Sequence, residues 1–108
     1  MDPVSIDDFK KIDLRIAKVL EVQEHPNADK LYILKIDLGT ETRQIVAGIR
    51  LHYQKEELVG KNIVIVANLE PRMLRGYESN GMLLAVHDES GVFIVTSEKP
   101  AAPGSSIS

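Results

Sequence analysis

No cysteine occurs among the 108 residues, which excludes disulfide staples, thiolate zinc sites, iron–sulfur ligation and thiol nucleophiles and fits an intracellular chain. No apolar run approaches the roughly twenty residues that a membrane helix requires. Met1 to Asp8 is acidic and lacks the basic-then-apolar order of a secretory leader, so the expectation is a soluble, cytoplasmic chain with no membrane partner. The three histidines, His25, His52 and His87, are scattered without ligand spacing, which speaks against a metal site. There is no Gly-rich phosphate loop, no G-x-S-x-G elbow and no internal repeat. Neither catalysis nor a cofactor is expected.

What is present suffices for one domain over residues 1–108, with a core over about residues 7–99 and no need of staples or a structural metal. The formal net charge is −3, but its distribution is uneven. Residues 1–8 hold three acids and no base, residues 9–75 twelve bases against nine acids, and residues 76–108 one base against four acids. A mildly basic body between acidic ends permits an anionic partner without announcing one, and an ordinary solvated surface would read the same.

Ser5 reads as the N-cap of a short helix, with Asp8 three residues on. Leu14 to Val22 reads as a first strand ended by the turn cluster His25-Pro26-Asn27. Tyr32 to Leu38 alternates with period two and is closed by Gly39, the clearest strand in the chain. Gln44 to Ile49 follows a short polar turn and should pair with it as an antiparallel hairpin, with Gly48 marking a bulge or a close backbone approach. Lys55 to Gly60 reads as a short helix, and Ile63 to Ala67 as a buried, β-branched strand.

Between Asn68 and Met82 the pattern breaks. Pro71 cannot donate to a ladder and Gly76 permits positive φ, so the backbone should leave the sheet in a loop and return over Met82 to Val86. Two arginines on that excursion, Arg72 and Arg75, are a place for anions. A further strand over Val92 to Val95 and a tail with Pro100, Pro103 and Gly104 complete the chain. Three strands, a helix and two or more strands give an all-β class, a five-stranded Greek-key barrel of the OB type with short helices and a C-terminal extension. In such a barrel the 24–30 turn and the 68–81 loop would share one mouth, bringing together His25, Asn27, Lys30, Arg72 and Arg75.

Several separated blocks carry a family resemblance: Asp13-Leu14-Arg15-Ile16, His25 to Leu31, Ile45 to Ile49, Val66 to Arg72 and Arg75 to Met82. Together with Asp8-Phe9 they are similar to the tRNA-binding domain appended to methionyl-tRNA synthetases and found in free-standing tRNA-binding proteins. The resemblance spans roughly residues 7–99. It implies an OB barrel, homodimerisation, association with a methionyl-tRNA synthetase catalytic chain and binding of the folded outer corner of tRNA. No HIGH-like or KMSKS-like element of a synthetase core is present, so the resemblance concerns a non-catalytic appendage or subunit.

Carried over by position, the family's Ser-x-x-Met element falls on Ser79 and Met82, its basic positions on Arg72 and Arg75, and Asn68 lies at the start of the loop. Arginines can pair bidentately with phosphate, a serine can donate to phosphate or a 2′-hydroxyl, and a methionine offers a soft surface to a base. Lys18, Lys30 and Arg50 are candidates for flanking phosphate contacts. Competing readings stand beside these: Ser79 bonded to its own turn, Met82 in the core, Asn68 a turn residue and the bases ordinary solvated charge. The sequence departs from common family patterns in Asn80, where Gln is frequent, and in its acidic balance. Two rivals of other classes remain, a secretion-type chaperone taking extended polypeptides in an apolar groove and a pure dimerisation module in which the C-terminal strands join two synthetase chains; the surface of any dimer is left open between Ile6 and Phe9, the 92–95 strand, or both.

Overall fold

A computed structural model describes residues 1–108. The chain opens with α1 (Ile6–Phe9), where the Ser5 hydroxyl accepts the Asp8 N–H at 3.0 Å, the cap read from the sequence. Then come β1 (Leu14–Glu24), β2 (Tyr32–Asp37), β3 (Thr42–Ala47), α2 (Lys55–Leu58) and β4 (Asn62–Val66). The remainder is β5 (Arg72–Leu74), β6 (Tyr77–Ser79), β7 (Met82–Leu83), β8 (Ala85–Asp88), β9 (Gly91–Ile94) and β10 (Ser106–Ile107).

Five strands lie in the order β3-β2-β1-β4-β7, every neighbour antiparallel. β1 is long enough to serve two partners, its first half pairing with β4 and its second with β2. A register shift between Val19 and Glu21 bends it, since an extra residue increases local twist and curls a sheet toward closure. Inward-facing Val19, Leu34, Ile36, Ile45, Ile63 and Ile65 are fully buried, and Leu58 of α2 plugs one end. Each such side chain contributes about 1.5–3 kcal/mol on leaving water. β3 and β7 share no ladder; the gap is bridged where the Asn80 N–H donates to the Gln44 carbonyl at 2.9 Å. The result is an all-β barrel of the OB type, as the pattern of elements implied.

Four local expectations change. The 68–81 excursion is ordered as a β5–β6 hairpin, with Leu74 opposite Tyr77 and only Arg75-Gly76 between them. The strand expected over 82–86 breaks at Leu84, whose N–H still reaches the Val64 carbonyl while its own carbonyl accepts from Val95. From there β8 and β9 form a separate hairpin. Gly48 is neither bulged nor tightly approached, for β3 ends at Ala47 and a β-carbon at Gly48 would meet Leu31 at an ordinary 3.8 Å.

The tail also turns back on the barrel, and β10 pairs with Leu14 and Arg15 on the edge of β1 that β2 leaves uncovered. Gly104 permits this return: its φ is +85°, and a β-carbon there would lie 2.2 Å from the Leu38 carbonyl oxygen. No helix is long and apolar enough to cross a membrane.

Candidate nucleic-acid interface

The β5–β6 hairpin stands beside the end of β3, and three groups fix it there. Ser79 is buried, its hydroxyl accepting the Val46 N–H at 2.9 Å and donating to the Gly81 carbonyl at 2.9 Å. The Gln44 side-chain amide donates to the Glu78 carbonyl at 2.9 Å. From the other side, His25 Nε2 lies 2.9 Å from the Leu74 carbonyl, while its Nδ1 accepts the Asn27 N–H at 3.0 Å. Those two partners assign the proton to Nε2, a neutral imidazole that ties the 24–30 turn to the hairpin. The Tyr77 ring meets the His25 ring edge-on at 4.9 Å.

On this support stand two exposed arginines. Neither Arg72 nor Arg75 takes part in an ion pair or a side-chain hydrogen bond within the chain. Arg75 has a φ of +53° and Gly76 one of +93°, the two positive values that a two-residue type I′ hairpin turn requires. Asparagine or glycine meets the first position at little cost; arginine pays about 1–2 kcal/mol for its β-carbon. A long cation at the strained apex is what one expects where charge matters more than local stability.

Between the hairpin, the end of β3 and the β8–β9 unit runs a cleft of about 300 Å³, walled by Leu31, Leu74, Met82 and Val92, with Arg72 on its rim. Met82 is 45% exposed, so it belongs to this surface rather than to the core. Exposed Lys30 adjoins the cleft through Leu31 and makes no ion pair. Of the residues expected at one mouth, His25 joins the two loops and Arg72 lines the cleft together with Met82, while Lys30 only precedes the lining Leu31, and neither Asn27 nor Arg75, which stands at the hairpin apex, lines it.

Other candidates have different tasks. Ser79 has spent both hydroxyl functions on backbone groups, so it positions the hairpin and is not free to donate to phosphate. Asn68 is exposed but engaged, its Oδ1 accepting the Asp13 N–H at 2.8 Å and its Nδ2 donating to the Lys11 carbonyl at 2.7 Å; it fastens the N-terminal segment to the end of β4. Arg50 is turned inward, donating to the carbonyls of His25 at 3.3 Å and Ala28 at 3.2 Å and pairing with Glu24 at 2.7 Å. Lys18 is exposed but remote. It lies opposite Asn62, four positions along the ladder from the Val66 that pairs with Met82, and lines a different cleft with Lys99.

Glu24 is the electrostatic centre of the turn. Its carboxylate takes Arg50 and, at 3.1 Å, Lys55. The hydrogen bond and charge of Lys55, followed by the charge of Arg50, hold its carboxyl below the ordinary value of 4.5. No cluster of three or more His, Asp or Glu side chains is arranged to hold a metal ion. The contributions of His25, Tyr77 and Gln44 to fixing the hairpin could not be read from the sequence. Each acts on a partner far along the chain, and only the turn cluster around His25 left a local signal.

Residues 14–106 match the family described as "Putative tRNA binding domain". The methionine–tRNA ligase of Thermococcus kodakarensis is 52% identical over 99% of this chain and 14% of its own length; that of Thermotoga maritima is 57% identical over 97% and 17%. The chain thus spans about a seventh of such relatives. Among solved structures, a methionyl-tRNA-synthetase-related protein from Pyrococcus horikoshii superposes with a TM-score of 0.92 at 32% identity, covering 99% of both chains. The CsaA chaperone protein of Picrophilus torridus does so with 0.92 at 31%, over 98% of this chain and 100% of its own. With a match across most of its length and relatives this similar, the chain belongs to the tRNA-binding domain family.

Proposed function

We propose that this chain binds tRNA by shape and backbone charge rather than by sequence, and that it does so as a homodimer serving a methionyl-tRNA synthetase, either fused to the catalytic chain or as a separate subunit. One observation carries the reading. Arg72 and Arg75, both unpaired, are presented on one hairpin whose base is immobilised by Ser79 and His25 and whose apex places an arginine where glycine would be less strained. Guanidinium groups match phosphate geometry bidentately, and a rigid base lowers the entropy lost on ordering them. Lys30 extends the cationic rim, and Met82 offers an apolar surface to an exposed base or ribose. The contribution to aminoacylation is tethering, which turns a second encounter of tRNA with the synthetase into an intramolecular one. Such a role belongs in the cytoplasm and needs no catalytic group of its own.

The relatives support fusion, since they are whole ligases of which this chain matches a small part. The equally sized Pyrococcus horikoshii protein supports a separate subunit. For the dimer, the support is exposed apolar surface on Val4, Ile6, Phe9 and Ile12 at one end and on Val86 and Phe93 of the β8–β9 hairpin.

The test is titration against total tRNA, with a DNA duplex of similar length as competitor, across a salt series. Binding that falls linearly in log salt and resists the duplex supports the reading; no binding at low salt refutes it. The likeness to CsaA chaperones, joined to the apolar walls of the cleft, favours a second reading as a polypeptide binder. Its signature would be affinity for unfolded chains that barely responds to salt.

A further inference from the structure

The outer edge of β3 carries an acceptor and a donor side by side that nothing in the fold uses. Val46 faces Ile33 across the β2–β3 ladder, and its N–H turns away from β2 to reach Ser79. In an antiparallel ladder the N–H and C=O of one residue point to the same side, so the Val46 carbonyl also faces outward, where it accepts no hydrogen bond. Alternation directs the Ala47 carbonyl toward β2, and the planar trans peptide then sends the Gly48 N–H outward beside the Val46 carbonyl. That N–H has no acceptor either. Gly48 is exposed, and both residues line the cleft whose rim holds Arg72.

We infer that this cleft receives one unstacked adenine base of the bound RNA, its exocyclic amino group donating to the Val46 carbonyl and the adjacent ring nitrogen accepting from the Gly48 N–H. The inference rests on the tRNA-binding reading above and deepens it. An acceptor next to a donor matches the adjacent amino group and ring nitrogen of adenine, whereas guanine and uracil meet it only when the base turns over to place its ring N–H on Val46 and its exocyclic oxygen on Gly48, and uracil has only a single ring to set against the apolar wall. Cytosine has the right order but a single ring, which covers less of the apolar wall formed by Leu31, Leu74 and Met82. Arg72 stands where it can pair with the phosphate of the same nucleotide. An added peptide strand fits less well, because strand addition needs a run of free edge groups. The preceding ones, the Gln44 carbonyl and the Val46 N–H, are already taken by Asn80 and Ser79, so a single acceptor–donor pair remains.

The experiment compares short single-stranded oligoadenylate, oligouridylate and N6,N6-dimethylated oligoadenylate of equal length, hence equal phosphate charge, on the intact chain, following affinity and the Gly48 amide resonance. Oligoadenylate should bind about tenfold tighter than oligouridylate, the scale of one bidentate base contact. Dimethylation should abolish the preference, and only oligoadenylate should move the Gly48 amide strongly. Equal binding of all three overturns the inference, as does undiminished binding of the dimethylated probe. If tRNA itself still binds with a salt slope in that case, the base pocket alone falls; if tRNA fails too, the underlying reading falls with it. An extended apolar peptide that shifts the Gly48 amide where oligoadenylate does not would assign the edge to polypeptide and overturn the inference.

Discussion

The Val46 amide and the Ser79 hydroxyl, 33 positions apart in the chain, meet at 2.9 Å in a buried hydrogen bond, and the same hydroxyl donates onward to the Gly81 carbonyl. One serine thereby joins the edge of β3 to the base of the arginine-bearing hairpin. Replacing it with alanine strands a buried N–H, which costs about 1–3 kcal/mol. For Ser79→Ala we expect that loss in urea denaturation, faster hydrogen exchange at Val46 and weaker tRNA binding with an unchanged salt slope. A reduced slope would instead mean that the hydroxyl had been touching the ligand's phosphate network.

Arg72→Ala combined with Arg75→Ala should leave the melting temperature within a degree or two, because neither side chain bonds to the protein. Affinity for tRNA should drop about tenfold or more, and the log–log salt slope should shrink by roughly 1.5, since each neutralised phosphate contributes roughly 0.7–0.9. Unchanged affinity would remove the hairpin from the site.

Arg75→Gly separates stability from binding. Glycine occupies the +53° φ of this position without strain, so the variant should be more stable by about 1 kcal/mol while binding tRNA less tightly. Calorimetric melting and a filter-binding titration on the same preparation would check both signs; a variant that loses stability would contradict the strain assigned to Arg75.

Glu24 sets an acid limit on the 24–30 turn. Lys55 first and Arg50 second keep its folded carboxyl below the ordinary 4.5, so the stability it contributes is fully present above that value and is lost as pH falls through and below it. Urea midpoints measured between about pH 6 and pH 3 should fall less steeply for Glu24→Gln than for the parent. Arg50→Ala should cost about 1–2 kcal/mol through the abandoned carbonyls of His25 and Ala28. It should leave the tRNA salt slope intact, which a phosphate-binding arginine would not.

Gly104→Ala tests the return of the tail. The left-handed backbone and the 2.2 Å approach of a β-carbon to the Leu38 carbonyl leave no room for it, so β10 should detach at a cost of about 2 kcal/mol or more. Loss of amide protection at Ile16, whose N–H donates to the Ser105 carbonyl, would locate the damage. A thermally unaltered variant would mean that β10 adds nothing to the barrel.

Much of the barrel was legible because its signals are local. Period-two alternation from Tyr32 to Leu38, the β-branched run at 63–67 and the Ser5 cap are each decided by neighbours within a few residues. The β5–β6 hairpin escaped because Arg75-Gly76 lacks the Asn-Gly or Asp-Gly signature of a type I′ turn, so an ordered ribbon read as an irregular loop. Of the site, Arg72 and Met82 line one cleft, Lys30 adjoins it through Leu31, and Arg75 stands at the apex of the hairpin. Ser79, Asn68 and Arg50 proved to be fastenings, because whether a polar side chain is free depends on partners dozens of positions away.

The sequence by itself determined which segments become strands, which end at turns, and that two arginines leave the sheet together, since hydrophobic periodicity and backbone preference act over short separations. Only the tertiary structure decided which polar groups are spent and which remain for a ligand. Hydrogen bonds such as Ser79 to Val46 and Asn68 to Asp13 exist only once the sheet has curled, and the free acceptor–donor pair at Val46 and Gly48 is what that closure leaves over.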